Sequence, residues 1–196
     1  PEDVLAAHKA AGHAPDIADG DLALIQQPLD YLGVNMYFPR MTEPGPAPRG
    51  WQFRPFDTRN EPLTSMGWEV FAPALRCLLH NFHRRYKLPL YITENGMSNA
   101  SDAPSADGKV HDQVRINYLQ QHLGVASQAI AEGVDLRGYF QWSLMDNFEW
   151  SFGYTQRFGI IHVDYQSLVR TPKDSYHWYS DVIQAGGFAG PALRPE

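Results

Sequence analysis

The sequence predicts an α/β fold, a parallel sheet joined by helical crossovers. Three observations carry that prediction. Runs of strand-forming residues occur at about 31–37, 88–94 and 136–143, helical periodicity fills the segments between them, and each run ends on polar or aromatic side chains.

The first run contains Leu32, Val34 and Tyr37, with Asn35 and Tyr37 two apart and therefore on one face. A loop follows at 38–65, rich in Pro, Arg and Gly; loops of that length in a compact domain are functional or disordered. Residues 70–86 then repeat Phe71, Leu75, Leu78, Leu79 and Phe82 at spacings of three and four, one apolar helix face. The second run is Leu90-Tyr91-Ile92-Thr93, which fits a pleated, buried surface. It ends on Glu94, and Asn95-Gly96 reads as a turn that needs positive φ. After a polar loop at 97–108, Ile116, Leu119, Leu123, Ala126 and Ile130 mark a second amphipathic helix over 111–132. The third run ends at Trp142, and Leu144-Met145-Asp146-Asn147-Phe148-Glu149-Trp150 lies just beyond it. Thr171-Pro172-Lys173-Asp174 predicts a further helix start, with a capping hydroxyl, a proline at the first position and an acid three residues on. Residues 1–185 read as part of one domain and 186–196 as a flexible tail.

Composition narrows the function. The chain has 196 residues, 43% of them hydrophobic, enough for a sizeable core. Acidic residues exceed basic ones by 22 to 16, a net charge of -6, which argues against nucleic acid or an anionic membrane surface as partner. No apolar run reaches the roughly 18 residues that span a bilayer. The single Cys77 cannot form an internal disulfide, which fits a reducing compartment and makes the cytoplasm the expected location. No phosphate loop, dinucleotide fingerprint or nucleophile-elbow motif occurs, and no cofactor or metal is expected. His80 and His83 sit three apart on a helix, but beside Arg84 and Arg85 they read as a solvated face rather than as metal ligands.

Chemistry gathers at the carboxyl ends of the three runs: Asn35 and Tyr37, Glu94, then Trp142 and the segment behind it. In a closed parallel barrel that end is where active sites are built. An indole packs on the C–H face of a pyranose, and carboxylates and amides bond its hydroxyls, so the mixture suits a sugar.

"LGVNMY", "MGWEVF", "YITENGM", "GYFQWSLMDNFEWSFGY" and "RFGIIHVDY" closely resemble, in order, the retaining β-glucosidases of glycoside hydrolase family 1, over nearly the whole chain. The resemblance implies a (β/α)8 barrel of which this chain carries about strands six to eight. It makes Glu94 the catalytic nucleophile and Tyr37 its hydrogen-bond donor, with Asn35 the amide beside them. Trp142 is then the platform under the sugar, Glu149 and Trp150 bind hydroxyls on its non-reducing side, Phe158 closes that subsite, and Trp68 lines the leaving-group site. The implied substrates are cello-oligosaccharides and aryl or alkyl β-glucosides, with galactosyl and fucosyl residues as further glycones.

Two positions depart from the family pattern. Met36 stands where an aromatic residue is common. The family's acid/base carboxylate belongs to an Asn-Glu-Pro motif after the fourth strand; Asn60-Glu61-Pro62 repeats the letters in the wrong loop and reads as coincidence. The acid/base is therefore expected in an N-terminal portion of the same barrel, a partner without which this chain should be inactive and poorly stable. A 6-phospho-β-glycosidase is disfavoured by the intact Glu149-Trp150 pair. A non-catalytic sugar-binding protein, or a thioglucosidase-like variant lacking the acid, is the alternative reading.

Overall fold

The computed structural model describes residues 2–46, 50–55 and 61–189. Helices α1 (Glu2–Ala10) and α2 (Asp21–Ile25) precede strand β1 (Leu32–Asn35). A hairpin of β2 (Thr42–Pro44) and β3 (Trp51–Phe53) stands inside the segment expected to be loop. Then come α3 (Pro73–Tyr86), β4 (Leu90–Asn95), α4 (Gln113–Ala131) and β5 (Leu136–Gln141). A second hairpin, β6 (Ile161–Val163) with β7 (Arg170–Pro172), leads into α5 (Asp174–Ala185).

Strands β1, β4 and β5 form one parallel sheet in that order, with α3 and α4 as the crossovers. One face of the sheet is dry. Val34, Leu90 and Ile92 pack there against Leu75 and Leu79 of α3 and Val125, Ala126 and Ala129 of α4. Each large apolar side chain so buried contributes about 1.5–3 kcal/mol. The opposite face carries Gly33, Asn35, Thr93 and Phe140, all exposed in this chain. Among the described residues, β1 and β5 each pair on one side only, so each keeps a free hydrogen-bonding edge.

Two helix expectations are corrected. Ile130 was expected on the buried face of α4 but is 50% exposed; the buried face instead includes Arg115, Tyr118 and His122. Tertiary pairing with Asp102 and Asn95, not hydropathy, draws Arg115 and Tyr118 inward. Second, Thr171 and Pro172 do not start a helix. They belong to β7, paired with β6, and α5 begins at Asp174. The start is displaced because the orphan N–H of Ser175 is taken by the Asp112 carboxylate at the head of α4 (2.8 Å), and the Asp174 N–H by the Val110 carbonyl (3.0 Å). Lys173, between strand and helix, turns its side chain wholly inward. Gly186 caps α5 in the left-handed conformation, and residues 190–196 of the expected tail lie outside the described residues.

Candidate active site

All eight side chains singled out from the sequence line one cleft of ≈ 610 Å³ at the carboxyl ends of β1, β4 and β5. The strands set its floor. A register irregularity between Val34 and Asn35 brings Asn35 level with Glu94, although Val34 still pairs with Ile92. Two residues past Asn35, the Tyr37 hydroxyl donates to Glu94 Oε2 at 2.5 Å. Burial, then that bond and the charge of Glu94, push the Tyr37 phenol far above its ordinary range, so it stays a donor throughout working pH. The Thr93 hydroxyl lies 2.6 Å from the Asn35 amide oxygen and holds that side chain from below.

Asn95-Gly96 is not a positive-φ turn, which corrects the expectation for that dipeptide. Asn95 is the last residue of β4 and fully buried. Its amide donates to the Met36 carbonyl (2.6 Å) and to the Tyr118 hydroxyl (2.9 Å), and accepts from the Tyr139 hydroxyl (2.6 Å). Three bonds on one amide tie β1, α4 and β5 to the residue beside Glu94. Gly96 is required for closeness: a Cβ there would lie 1.9 Å from the Trp142 carbonyl oxygen. The Asn95 carbonyl in turn accepts from the Trp142 N–H at 2.9 Å. The Trp142–Ser143 peptide is cis.

The far wall comes from the segment after β5. Ser143 donates to the Phe158 carbonyl (3.1 Å) and accepts from the Ile160 N–H (3.0 Å), which seats Phe158, 3% exposed, beside Trp142. Glu149 is 9% exposed and precedes a 3-10 turn, Trp150–Phe152, in which Trp150 takes a positive φ of 44° and stands 82% exposed at the rim. Burial, and then the charge of Glu94, raise the Glu149 carboxyl above its usual range. Tyr37, Trp68 and Phe158 form a three-ring cluster with centroids 5.6–6.0 Å apart, and Phe38 leans on Trp68 at 4.6 Å. Asn147, Phe148, Phe152 and Met66 also line the cleft; only their place in "MDNFEWSF" and "SMGW" could have marked them. Glu61 is not among the described lining residues, and Asn60, the first residue of that coincidental motif, lies outside the described residues.

Behind the cleft runs an ion network that hydropathy could not forecast. Arg115 bonds Asp102 (2.7 Å) and Asp112 (2.5 Å), Lys173 bonds Asp102 (2.6 Å) and Asp146 (3.0 Å), and Arg157 bonds Asp146 (2.7 Å). Asp146 also accepts from the Gly159 N–H, so the network grips both ends of the segment that carries Glu149. His80, by contrast, pairs with Glu132 at 2.6 Å, and His83 lies 3.5 Å from the Asp135 N–H; the two do not converge. No cluster of three or more metal-binding side chains occurs among the described residues. No helix described is long and apolar enough to cross a membrane.

Parallel strands backed by their crossover helices, with a polar and aromatic cleft at their carboxyl ends, make this chain the C-terminal portion of a (β/α)8 barrel. It belongs to glycosyl hydrolase family 1, whose model matches residues 1–188. Beta-glucosidase A of Thermotoga maritima is 44% identical over 180 residues, covering 91% of this chain and 40% of the relative. A bifunctional beta-D-glucosidase/beta-D-fucosidase of Bifidobacterium breve is 45% identical over 183 residues, 85% of this chain and 40% of the relative. The Thermotoga maritima beta-glucosidase in complex with castanospermine superposes with a TM-score of 0.88 at 42% identity, over 96% of this chain and 42% of that one. The chain thus spans about 40% of the length of the curated relatives it matches.

Proposed function

We propose that the whole protein is a retaining β-glucosidase acting on terminal β-glucosyl residues of cello-oligosaccharides and aryl or alkyl glucosides, and that this chain supplies the nucleophile and the glycone site. The observation that carries the reading is the Tyr37–Glu94 bond inside a cleft walled by Trp68, Trp142 and Phe158. A carboxylate oxygen held by a permanent phenol donor is fixed in direction, as attack on an anomeric carbon requires. Glu94 would form the glycosyl–enzyme bond as the leaving oxygen takes a proton. Water activated by the same acid/base group would then cleave that bond, giving net retention. Asn35 would bond a hydroxyl next to the reacting carbon, Trp142 would stack on the ring, and Glu149 with Trp150 would take the far hydroxyls. The glucosidase and fucosidase activities named for relatives support a pocket that admits more than one glycone.

The acid/base is assigned to an N-terminal portion of the same barrel. The unpaired edges of β1 and β5, the open sheet face and the 40% coverage of relatives support that partner. Residues 1–185 would then belong to a single catalytic domain. The free, exposed Cys77 supports the cytoplasm as its compartment. The experiment is to incubate the complete protein with a 2-deoxy-2-fluoro β-glucoside and map the adduct. Label on the peptide containing Glu94 is expected; label elsewhere, or turnover with inversion, would defeat the proposal.

A further inference from the structure

Trp68 reaches the cleft on a tight turn. The Thr64 N–H donates to the Trp68 carbonyl at 2.8 Å, the Gly67 N–H to the Thr64 carbonyl at 2.9 Å, and Leu63 bridges Glu69 in antiparallel fashion. At the tip of that turn stands Ser65. Its hydroxyl lies 2.6 Å from Gln156 Oε1 and 3.0 Å from Ser98 Oγ, and 3.1 Å from the Ala100 N–H. A hydroxyl has one proton and two lone pairs. One arrangement satisfies all three contacts: Ser65 donates to Gln156, which offers only an acceptor, while Ser98 Oγ–H and the Ala100 N–H donate to Ser65. Ser98 is fully buried, and the Ser65 N–H lies 3.4 Å from its carbonyl.

This one oxygen joins three loops that follow three different strands: 61–70 between β3 and α3, 96–102 after β4 and 142–160 after β5. Neighbours of each anchor reach the cleft. Trp68 is three residues from Ser65, Phe158 is two from Gln156, and Ser98 is four from Glu94. Between Ser98 and Phe158, the Asn99 N–H donates to the Arg157 carbonyl at 3.0 Å.

We infer that Ser65, with Ser98 and Gln156, is a latch that positions Trp68 against Phe158 and thereby sets discrimination among leaving groups. Ser65 is a positioning residue: it lines no part of the cleft itself. The inference rests on the β-glucosidase reading and deepens it, because Trp68 is the ring assigned to the leaving group. A loosened turn lets Trp68 swing, while Tyr37, which touches its ring, is held in place by the bond to Glu94. Only substrates whose leaving group touches Trp68 should therefore notice.

The test compares leaving groups on the complete protein. β-Glucosyl fluoride has a one-atom leaving group; cellobiose and 4-nitrophenyl β-glucoside have large ones. In Ser65→Ala, kcat/KM for the two large substrates should fall about three- to tenfold, the range one hydrogen bond commands, mainly through KM. The value for the fluoride should stay within about twofold, since it forgoes the Trp68 contact. Gln156→Ala should reproduce the pattern, and the double variant should add little, since both remove the same bond. Ser65→Thr, which keeps the hydroxyl, should restore the ratio. An equal loss on all three substrates would reveal a merely structural role, and an unchanged ratio or full additivity would equally overturn the latch. Failure of the unmutated protein to hydrolyse the fluoride is a different result and would overturn the β-glucosidase reading instead.

Discussion

Asp102, Asp112 and Asp146, behind the cleft, each lie within 3.0 Å of a lysine or arginine, whereas Glu94 and Glu149, inside it, face no cation among the described lining residues. Asp146 and Glu149 sit three residues apart on one loop, and Asp102 lies in the loop that follows the strand of Glu94. In the network, Asp side chains are buried against Arg115, Lys173 and Arg157 and anchor backbone N–H groups of Ser175 and Gly159. In the cleft, the neutral phenol of Tyr37 is the partner of Glu94, and Glu149 feels the charge of Glu94 as a repulsion. Carboxylates buried with their oxygens already bonded have no face left for a ligand, but they hold loops in register. Carboxylates left in each other's field are poor staples, and as proposed above they are the reagents. The difference separates residues that build the site from residues that use it, within a family of side chains that composition alone treats as one.

Removing a reagent should cost most in rate. Glu94→Ala in the complete protein should lower kcat by on the order of 10^4 or more with little change in melting temperature, as for other groups that act as a unit in catalysis. Azide should restore turnover, with a product of inverted configuration. Residual activity within about a hundredfold of the unmutated protein would remove Glu94 from the role of nucleophile.

Removing a staple should cost most in stability. Lys173→Met leaves Asp102 and Asp146 with one cation each, and breaking a buried pair in this way costs about 3–5 kcal/mol. Denaturant unfolding would measure it. A loss below about 1 kcal/mol would mean that the network is not anchoring the loops.

His122 offers a third case, a buried titratable group without a charge partner. It stacks on Tyr118 with ring centroids 3.8 Å apart, its Nδ1 lies 2.8 Å from the Tyr118 carbonyl oxygen, and its Nε2 has no hydrogen-bond partner. Burial holds its pKa down to about 4, below the ordinary value of 6.5. Between those values the unfolded chain binds a proton that the folded chain refuses, so stability falls as pH drops from 6.5 towards 4. The slope attributable to His122 is about 1.4 kcal/mol per pH unit, and the total about 3 kcal/mol. His122→Phe should flatten the acid limb by that one proton; an unaltered limb would show that His122 titrates in the folded state as freely as in the unfolded one.

The smallest effect is expected where a reagent only binds. Glu149→Gln should reduce kcat/KM for glucosides by roughly 1.5–3 kcal/mol, the worth of a hydrogen bond to a charged group. Glucosides and galactosides should suffer together. Unchanged hydrolysis, or a preference for 6-phosphoglucosides, would withdraw Glu149 from the glycone site.

The three strands were legible because Leu90-Tyr91-Ile92-Thr93 and its counterparts are dense in residues that fit a pleated, buried surface, and the helices between them because their apolar spacing is regular. The cleft residues were legible from their place at strand ends and from the family motifs. What stayed hidden is tertiary. Arg115 and Lys173 carry charges that a hydropathy reading places in water, and only partners distant in sequence, such as Asp102 and Asp146, make burial tolerable. The start of α5 was misread because its cap is the side chain of Asp112, 63 residues from Ser175. Both short hairpins were missed because three-residue strands carry almost no periodicity.

Gly96 works as a feeler gauge between two strand ends. The strand bearing Glu94 and the peptide bearing Trp142 are separated there by the thickness of a hydrogen atom, since a methyl group would come to 1.9 Å from the Trp142 oxygen. Any larger residue would act as a shim, changing the gap between Glu94 and Trp142 rather than altering one contact. Engineering that seeks a wider cleft should therefore leave position 96 alone and work at the rim, where Trp150 stands 82% exposed.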